Sequence, residues 1–204
     1  MRSGGTDGDA AGGPGGLWVF GYGSLIWHPG FDFDDRRLAV LAGYRRAFCM
    51  TSIVYRGTPE MPGLVLALDA DAAGSCAGVA YHVPAATAAA THAYLREREL
   101  VSYAYDEARV PLVLDDGRSV EAIAFVSNPA HPQYAGGLSL EQQAEVIARA
   151  HGPRGSNADY LLNTVESLAA LGLQDRDLVE LAALVGNLLS APVLPVVEDW
   201  PKRR

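Results

Sequence analysis

Two features of this 204-residue chain combine residue types that fit chemistry: a glycine-flanked turn and a carboxylate carried on a helix. The turn lies in Trp18-Val19-Phe20-Gly21-Tyr22-Gly23-Ser24-Leu25-Ile26-Trp27, an apolar strand running into a bend and an apolar continuation. Gly21 and Gly23 free the backbone for positive φ and for close approach, so amides of the turn can face a ligand, and Ser24 adds a hydroxyl. Such a segment reads as a cradle for a carboxylate or an oxyanion, or as a tight bend that ends a strand. The second feature is Tyr94-Leu95-Arg96-Glu97-Arg98-Glu99-Leu100. On a helix Glu97 and Glu99 point about 200° apart, so only one of them shares the inward face. Leu95 and Glu99 are four residues apart and His92 is three before Leu95, which selects Glu99 as the buried carboxylate. Burial disfavours the charged form and raises the pKa toward the range useful for proton transfer. An ordinary solvated Arg/Glu face has the same composition.

Other chemistries fit poorly. Gly21-Tyr22-Gly23-Ser24-Leu25 is not the G-x-S-x-G elbow of a serine nucleophile. It lacks the third glycine of a dinucleotide fingerprint and the lysine of a P-loop. His28, His82, His92, His131 and His151 are dispersed without ligand spacing, so no metal site is expected. Cys49 and Cys76 form neither a knuckle nor a redox pair and read as buried free thiols. A net charge of −8 opposes binding to nucleic acid, and the one basic cluster is Lys202-Arg203-Arg204. No apolar run approaches the roughly 18–20 residues of a membrane span.

The elements that must position these residues follow from periodicity. Residues 1–16, with seven glycines and no large apolar side chain after Met1, are expected as a disordered tail. They carry no apolar signal core, and a cytoplasmic location is expected. One domain is expected over residues 17–192, followed by a C-terminal tail over 193–204. Short apolar runs predict strands over 17–22, 38–52, 63–69, 75–83, 110–114 and 120–125, the second broken near Gly43. Asp116-Gly117 predicts a hairpin with a type I′ turn. A helix over 85–101, opened by Pro84, interrupts the series. Helices then follow over 140–150, capped by Ser139 with Gln142, over 160–171, capped by Ser156 or Asn157, and over 176–189. Many short strands ahead of a helical last third predict an α+β fold with a closed or nearly closed sheet. The segments 56–63 and 152–157 read as site walls or as plain connections.

Taken together, Phe20-Gly21-Tyr22-Gly23-Ser24-Leu25-Ile26-Trp27, Tyr55-Arg56-Gly57-Thr58-Pro59, Leu95-Arg96-Glu97-Arg98-Glu99 and Gly152-Pro153-x-Gly155-Ser156-Asn157-x-x-Tyr160-Leu161 follow the order and spacing of one family. The chain resembles the ChaC-type, glutathione-specific γ-glutamylcyclotransferases over residues 17–189. Asn128-Pro129 and His131-Pro132 resemble the bacterial branch, and Ser156 stands where threonine is expected, which keeps a hydroxyl. The resemblance implies a small β-barrel with surrounding helices, no cofactor, and conversion of glutathione to 5-oxoproline and cysteinylglycine, a carbon–nitrogen lyase reaction of the amidine-lyase class. It also implies Glu99 as the catalytic residue and Gly21, Tyr22, Gly23, Ser24, Leu25 and Ile26 as the substrate-binding turn. Tyr103 or Tyr105 is expected to add a hydroxyl, Tyr105 being the better match. Arg45, Arg56 and Arg98 are the arginines available to an anionic substrate. Action on other γ-glutamyl amines or dipeptides, or a non-enzymatic role in regulating cation transport, remain open readings of the same residues.

Overall fold

The computed structural model describes residues 15–100 and 104–190. Val101, Tyr103, the tail over 193–204 and all of the N-terminal tail except Gly15 and Gly16 lie outside those residues. Five strands, β1 (Leu17–Gly21), β2 (Asp35–Ser52), β3 (Gly63–Val83), β4 (Tyr105–Leu114) and β5 (Ser119–Ser127), close into a barrel in the order β1-β3-β2-β4-β5. Closure is made by parallel pairing of β1 with β5, Trp18 beside Ala122 and Val19 beside Ile123. Adjacent strand residues face opposite ways, and Val19 and Phe20 enter different apolar clusters. Phe20, Leu41, Leu68, Val110, Leu112 and Ala122 belong to a cluster of strand residues joined by Tyr22 from the turn after β1. Val19, Phe48, Leu66 and Phe125 belong to a second cluster, shared with all four helices.

The strands depart from expectation in three places. The runs over 63–69 and 75–83 are one strand, β3, and β2 is not broken at Gly43. Instead the pairing jumps from Ala42↔Ser75 to Tyr44↔Ala70, so residues 71–74 bulge opposite Gly43, which takes φ 82°. Asp71 Oδ1 accepts the Ala73 N–H at 3.1 Å within that bulge, which is why the sequence reads as a turn although both strands resume with the same partner. The β4–β5 hairpin is present, but its turn is not type I′. The Gly117 N–H donates to the Leu114 carbonyl and the Leu114 N–H to that of Arg118, leaving three loop residues with Gly117 left-handed at φ 85°. This is the hairpin of a type I turn followed by a bulge. Finally, β4 begins at Tyr105, five residues ahead of its apolar run, because Glu107 is paired by His92 at 2.8 Å and Arg96 at 2.7 Å from the helix alongside.

Helix α1 (Ala85–Glu99) follows Pro84 and ends two residues short of expectation. Helix α2 (Leu140–Arg149) carries the expected capping box of Ser139 and Gln142. A two-residue hairpin, β6 (His151–Gly152) and β7 (Gly155–Ser156), leads into α3 (Asn157–Ala170), where Ser156 caps the Asp159 N–H at 2.9 Å. Helix α4 (Arg176–Ser190) packs against α2 and α3. No helix among the described residues is long and apolar enough to cross a membrane. Cys49 and Cys76 are buried free thiols, pushed up to about 12 and about 11 by burial.

Candidate active site

Where β1 leaves the barrel, the chain bends at Tyr22 and Gly23 into a single 3₁₀ turn, Ser24–Ile26. Every carbonyl of this segment is engaged inside the protein. Arg46 Nε donates to Tyr22 O at 2.6 Å, the Ile26 N–H to Gly23 O at 2.9 Å, and the His28 N–H to Ser24 O at 2.8 Å. The Tyr81 hydroxyl bridges the Leu25 and Ile26 carbonyls at 3.0 Å each. By contrast, the amides of Gly23, Ser24 and Leu25 meet no acceptor among the described residues. A backbone with its oxygens withdrawn and its N–H groups free is polarised to receive an anion.

The glycines serve differently from expectation. Neither Gly21 nor Gly23 has positive φ; Gly23 sits at φ −132°. At Gly21 a Cβ would stand 3.1 Å from Leu25 Cβ and 3.3 Å from Tyr81 Cε2, so the missing side chain lets the turn fold back on the strand. At Gly23 a Cβ would meet only Leu66 Cδ1, at 4.0 Å, so the glycine borders open space.

That space is a pocket of about 80 Å³ at one end of the barrel. Tyr22, Gly23, Ser24 and Leu25 form one wall, and Glu99, the last residue of α1, shares the lining with Tyr105 from the start of β4. Leu66 of β3, Phe125 of β5 and Tyr160 of α3 complete it. Gly21 and Ile26 lie behind the wall, Ile26 within the shared core. Glu97 is exposed while Leu95 is fully buried and Glu99 half-buried, as helical spacing requires.

Glu99 is raised above the ordinary carboxylate range, because burial outweighs the opposing pull of Arg98, whose Nε lies 3.1 Å from Glu99 Oε1. The same guanidinium fastens the helix to the turn after β1. Its Nη1 donates to the carbonyls of His28 and Pro29 at 2.9 Å each, and its Nη2 to Ser24 Oγ at 3.3 Å. Three tyrosines surround the carboxylate, and burial pushes all three hydroxyls up, Tyr160 to about 12, so each is a hydrogen-bond donor at neutral pH. The Tyr22 hydroxyl donates to Phe125 O at 2.7 Å and that of Tyr105 to Leu66 O at 2.9 Å. Tyr160, to which no role falls from its spacing alone, brings its ring under Arg56, 5.0 Å from Cζ to centroid.

The two glycine-rich loops brace this arrangement. The Arg154 N–H donates to Tyr55 O at 3.1 Å, and Arg56 Nη1 donates to Arg154 O at 2.6 Å. Asn157 is fully buried and acts as a piece of strand: Oδ1 accepts the Leu64 N–H at 2.6 Å and Nδ2 donates to Leu64 O at 2.7 Å. That pair pins α3 to β3 and so sets Tyr160. Arg45 turns away from the pocket to Asp69, at 3.0 Å. Among the described residues, no three His, Cys, Asp or Glu side chains are grouped to hold a metal ion.

A closed five-stranded barrel with a half-buried carboxylate and free turn amides lining one pocket is the arrangement of a γ-glutamylcyclotransferase-like protein. The crystal structure of a γ-glutamyl cyclotransferase specific to glutathione from yeast matches 85% of this chain and 99% of its own, with a TM-score of 0.75 and 26% identity. The family model described as ChaC-like protein matches residues 17–188, and the chain belongs to that family. It is 40% identical over 174 residues to the glutathione-specific γ-glutamylcyclotransferase of Escherichia coli (strain K12), spanning 85% of this chain and 74% of that protein. The glutathione-specific γ-glutamylcyclotransferase 1 of Homo sapiens is 36% identical over 188 residues, spanning 90% and 83%.

Proposed function

We propose that this protein cyclises the γ-glutamyl group of glutathione, releasing 5-oxoproline and cysteinylglycine, with Glu99 as general base and then general acid. The observation that carries the reading is that Glu99 and the free amides of Gly23, Ser24 and Leu25 line one pocket. The names of its relatives supply the substrate.

In the γ-glutamyl group the α-nitrogen and the γ-carbonyl carbon belong to one molecule, so holding the chain in a folded, near-attack shape supplies much of the rate. The Glu99 carboxylate takes a proton from the α-amine as nitrogen bonds to the γ-carbon, and the carbonyl electrons move onto oxygen. The turn amides hold the substrate's anionic groups; a donor aimed at the developing oxyanion contributes most, because it gains strength in the transition state. Collapse restores the carbonyl and breaks the bond to the cysteinyl nitrogen, which takes the proton back from Glu99. The reaction is redox-neutral and consumes no water. A raised pKa suits a group that must accept and return one proton near neutrality.

The test is Glu99→Gln. The amide is nearly isosteric but cannot accept the amine's proton, so release of 5-oxoproline from glutathione should fall to background while the circular dichroism spectrum is unchanged. Turnover near that of the wild type would remove Glu99 from the mechanism. Parallel assays on γ-glutamyl dipeptides measure how far the activity depends on the cysteinylglycine half.

A further inference from the structure

Beneath the binding turn lies a buried arginine that the chemistry above does not use. Arg46, on β2, has a side chain only 2% exposed. Besides its bond to Tyr22 O, its Nη2 donates to Ala77 O at 2.5 Å and its Nη1 to Asp175 Oδ2 at 2.8 Å. Burying a guanidinium is costly unless its donors are met, and here one carboxylate and two carbonyls meet them. Asp175 is itself fixed at the head of α4, where Oδ1 accepts the Leu178 N–H at 3.2 Å.

The consequence lies on the other side of the peptide. A trans peptide is planar, so the Tyr22 C=O and the Gly23 N–H point in opposite directions. With the oxygen drawn down onto Arg46, the Gly23 N–H is turned away from it, and Gly23 lines the pocket with no acceptor among the described residues. The bonds of the short 3₁₀ turn use the carbonyls of Gly23 and Ser24 and leave that of Tyr22 to the arginine. A flipped peptide would aim the Tyr22 oxygen at an incoming anion and set the Gly23 N–H against the guanidinium, donor against donor. Glycine offers little resistance to such a flip, so the lock has to come from outside the turn.

We infer that Arg46 is a positioning residue: it fixes the Tyr22–Gly23 peptide so that the Gly23 N–H is presented to an anionic oxygen of the γ-glutamyl substrate. The inference rests on the cyclotransferase reading. Wild-type release of 5-oxoproline is therefore measured first, and its absence overturns that reading and this inference with it. Given an active wild type, folded Arg46→Met should lose about 100-fold in kcat/KM, the scale of one misdirected oxyanion donor. The loss falls on kcat if the amide serves the oxyanion and on KM if it serves the α-carboxylate. Asp175→Asn leaves both carbonyl bonds of Arg46 in place, so it should lower the melting temperature with turnover near that of the wild type. Unchanged kinetics in Arg46→Met, or equal losses of activity in the two variants, would overturn the assignment. A second readout does not need Arg46 to be replaced. In Glu99→Gln titrated with glutathione, the Gly23 amide proton should move downfield; a Gly23 signal that stays put while those of Ser24 and Leu25 move would sink the proposal.

Discussion

Glu99 stands between two opposing influences, burial that raises its pKa and the adjacent Arg98 that lowers it, and burial wins. A general base, the role proposed for Glu99, must be ionised to work, so the acid limb of kcat/KM should lie above the range of an ordinary glutamate. Arg98→Met removes the lowering charge, and the limb should move to still higher pH, whereas Arg98→Lys, which keeps a charge, should restore most of its position. A limb that stays where it was in Arg98→Met would mean that the guanidinium acts only through its bonds to Ser24, His28 and Pro29. The raised pKa also has a cost in stability. A carboxyl whose folded pKa exceeds its unfolded one favours the fold below the unfolded value, and that advantage is lost as pH rises through the folded one. At neutral pH the charged Glu99 is therefore a burden, and Glu99→Gln should melt at or above the wild-type temperature. A clear fall in its melting point would mean that the carboxylate is held by contacts stronger than those to Arg98.

At the scale of elements, α3 is the part whose placement the site depends on most visibly, and one side chain secures it. Asn157→Ala would leave the N–H and C=O of Leu64, itself 1% exposed, without partners, at about 1–3 kcal/mol each. In a chain of this length that lowers the melting temperature by roughly 4–24 °C. A shift within a degree would mean that water or a rearranged loop replaces the bonds. Asn157 illustrates what the sequence did and did not make legible. The cap of α3, narrowed to Ser156 or Asn157, the inward face of α1 and the candidate turn were readable because each depends on residues within a few positions of one another. Leu66, Phe125 and Tyr160 were not readable as partners of Glu99, since barrel closure is what brings them together. Arg46 was hidden for a more specific reason. Period-two alternation cannot say which of Arg45 and Arg46 turns inward when the β2–β3 register shifts at Ala42/Tyr44 and again at Ala47/Met50. The polar start of β4 was missed because its charge is met by α1, a contact between elements.

Across the whole molecule, the helices and the barrel share one apolar core rather than dividing the chain into separate units. Val19 of β1, Phe48 of β2 and Leu66 of β3 lie in the same cluster as Leu95 of α1, Ile147 of α2, Leu161 of α3 and Leu181 of α4. The polar ties run the same way: Arg46 joins the binding turn to Asp175 ahead of α4, and Tyr22 joins it to β5. The pocket is walled by that turn, by three strands and by two helices, so no one of them can unfold and leave the site standing. Heat unfolding should then be a single transition, with helical and aromatic circular dichroism giving one midpoint. A ligand that binds only the assembled site should stabilise everything together. Glu99→Gln is expected to hold glutathione without consuming it, and at a hundred times its Kd the ligand should add about 2.7 kcal/mol, moving both signals upward by the same amount. Helical signal melting ahead of the aromatic signal, or a ligand shift confined to one of them, would show that barrel and helices are separable and that the pocket belongs to only one of them.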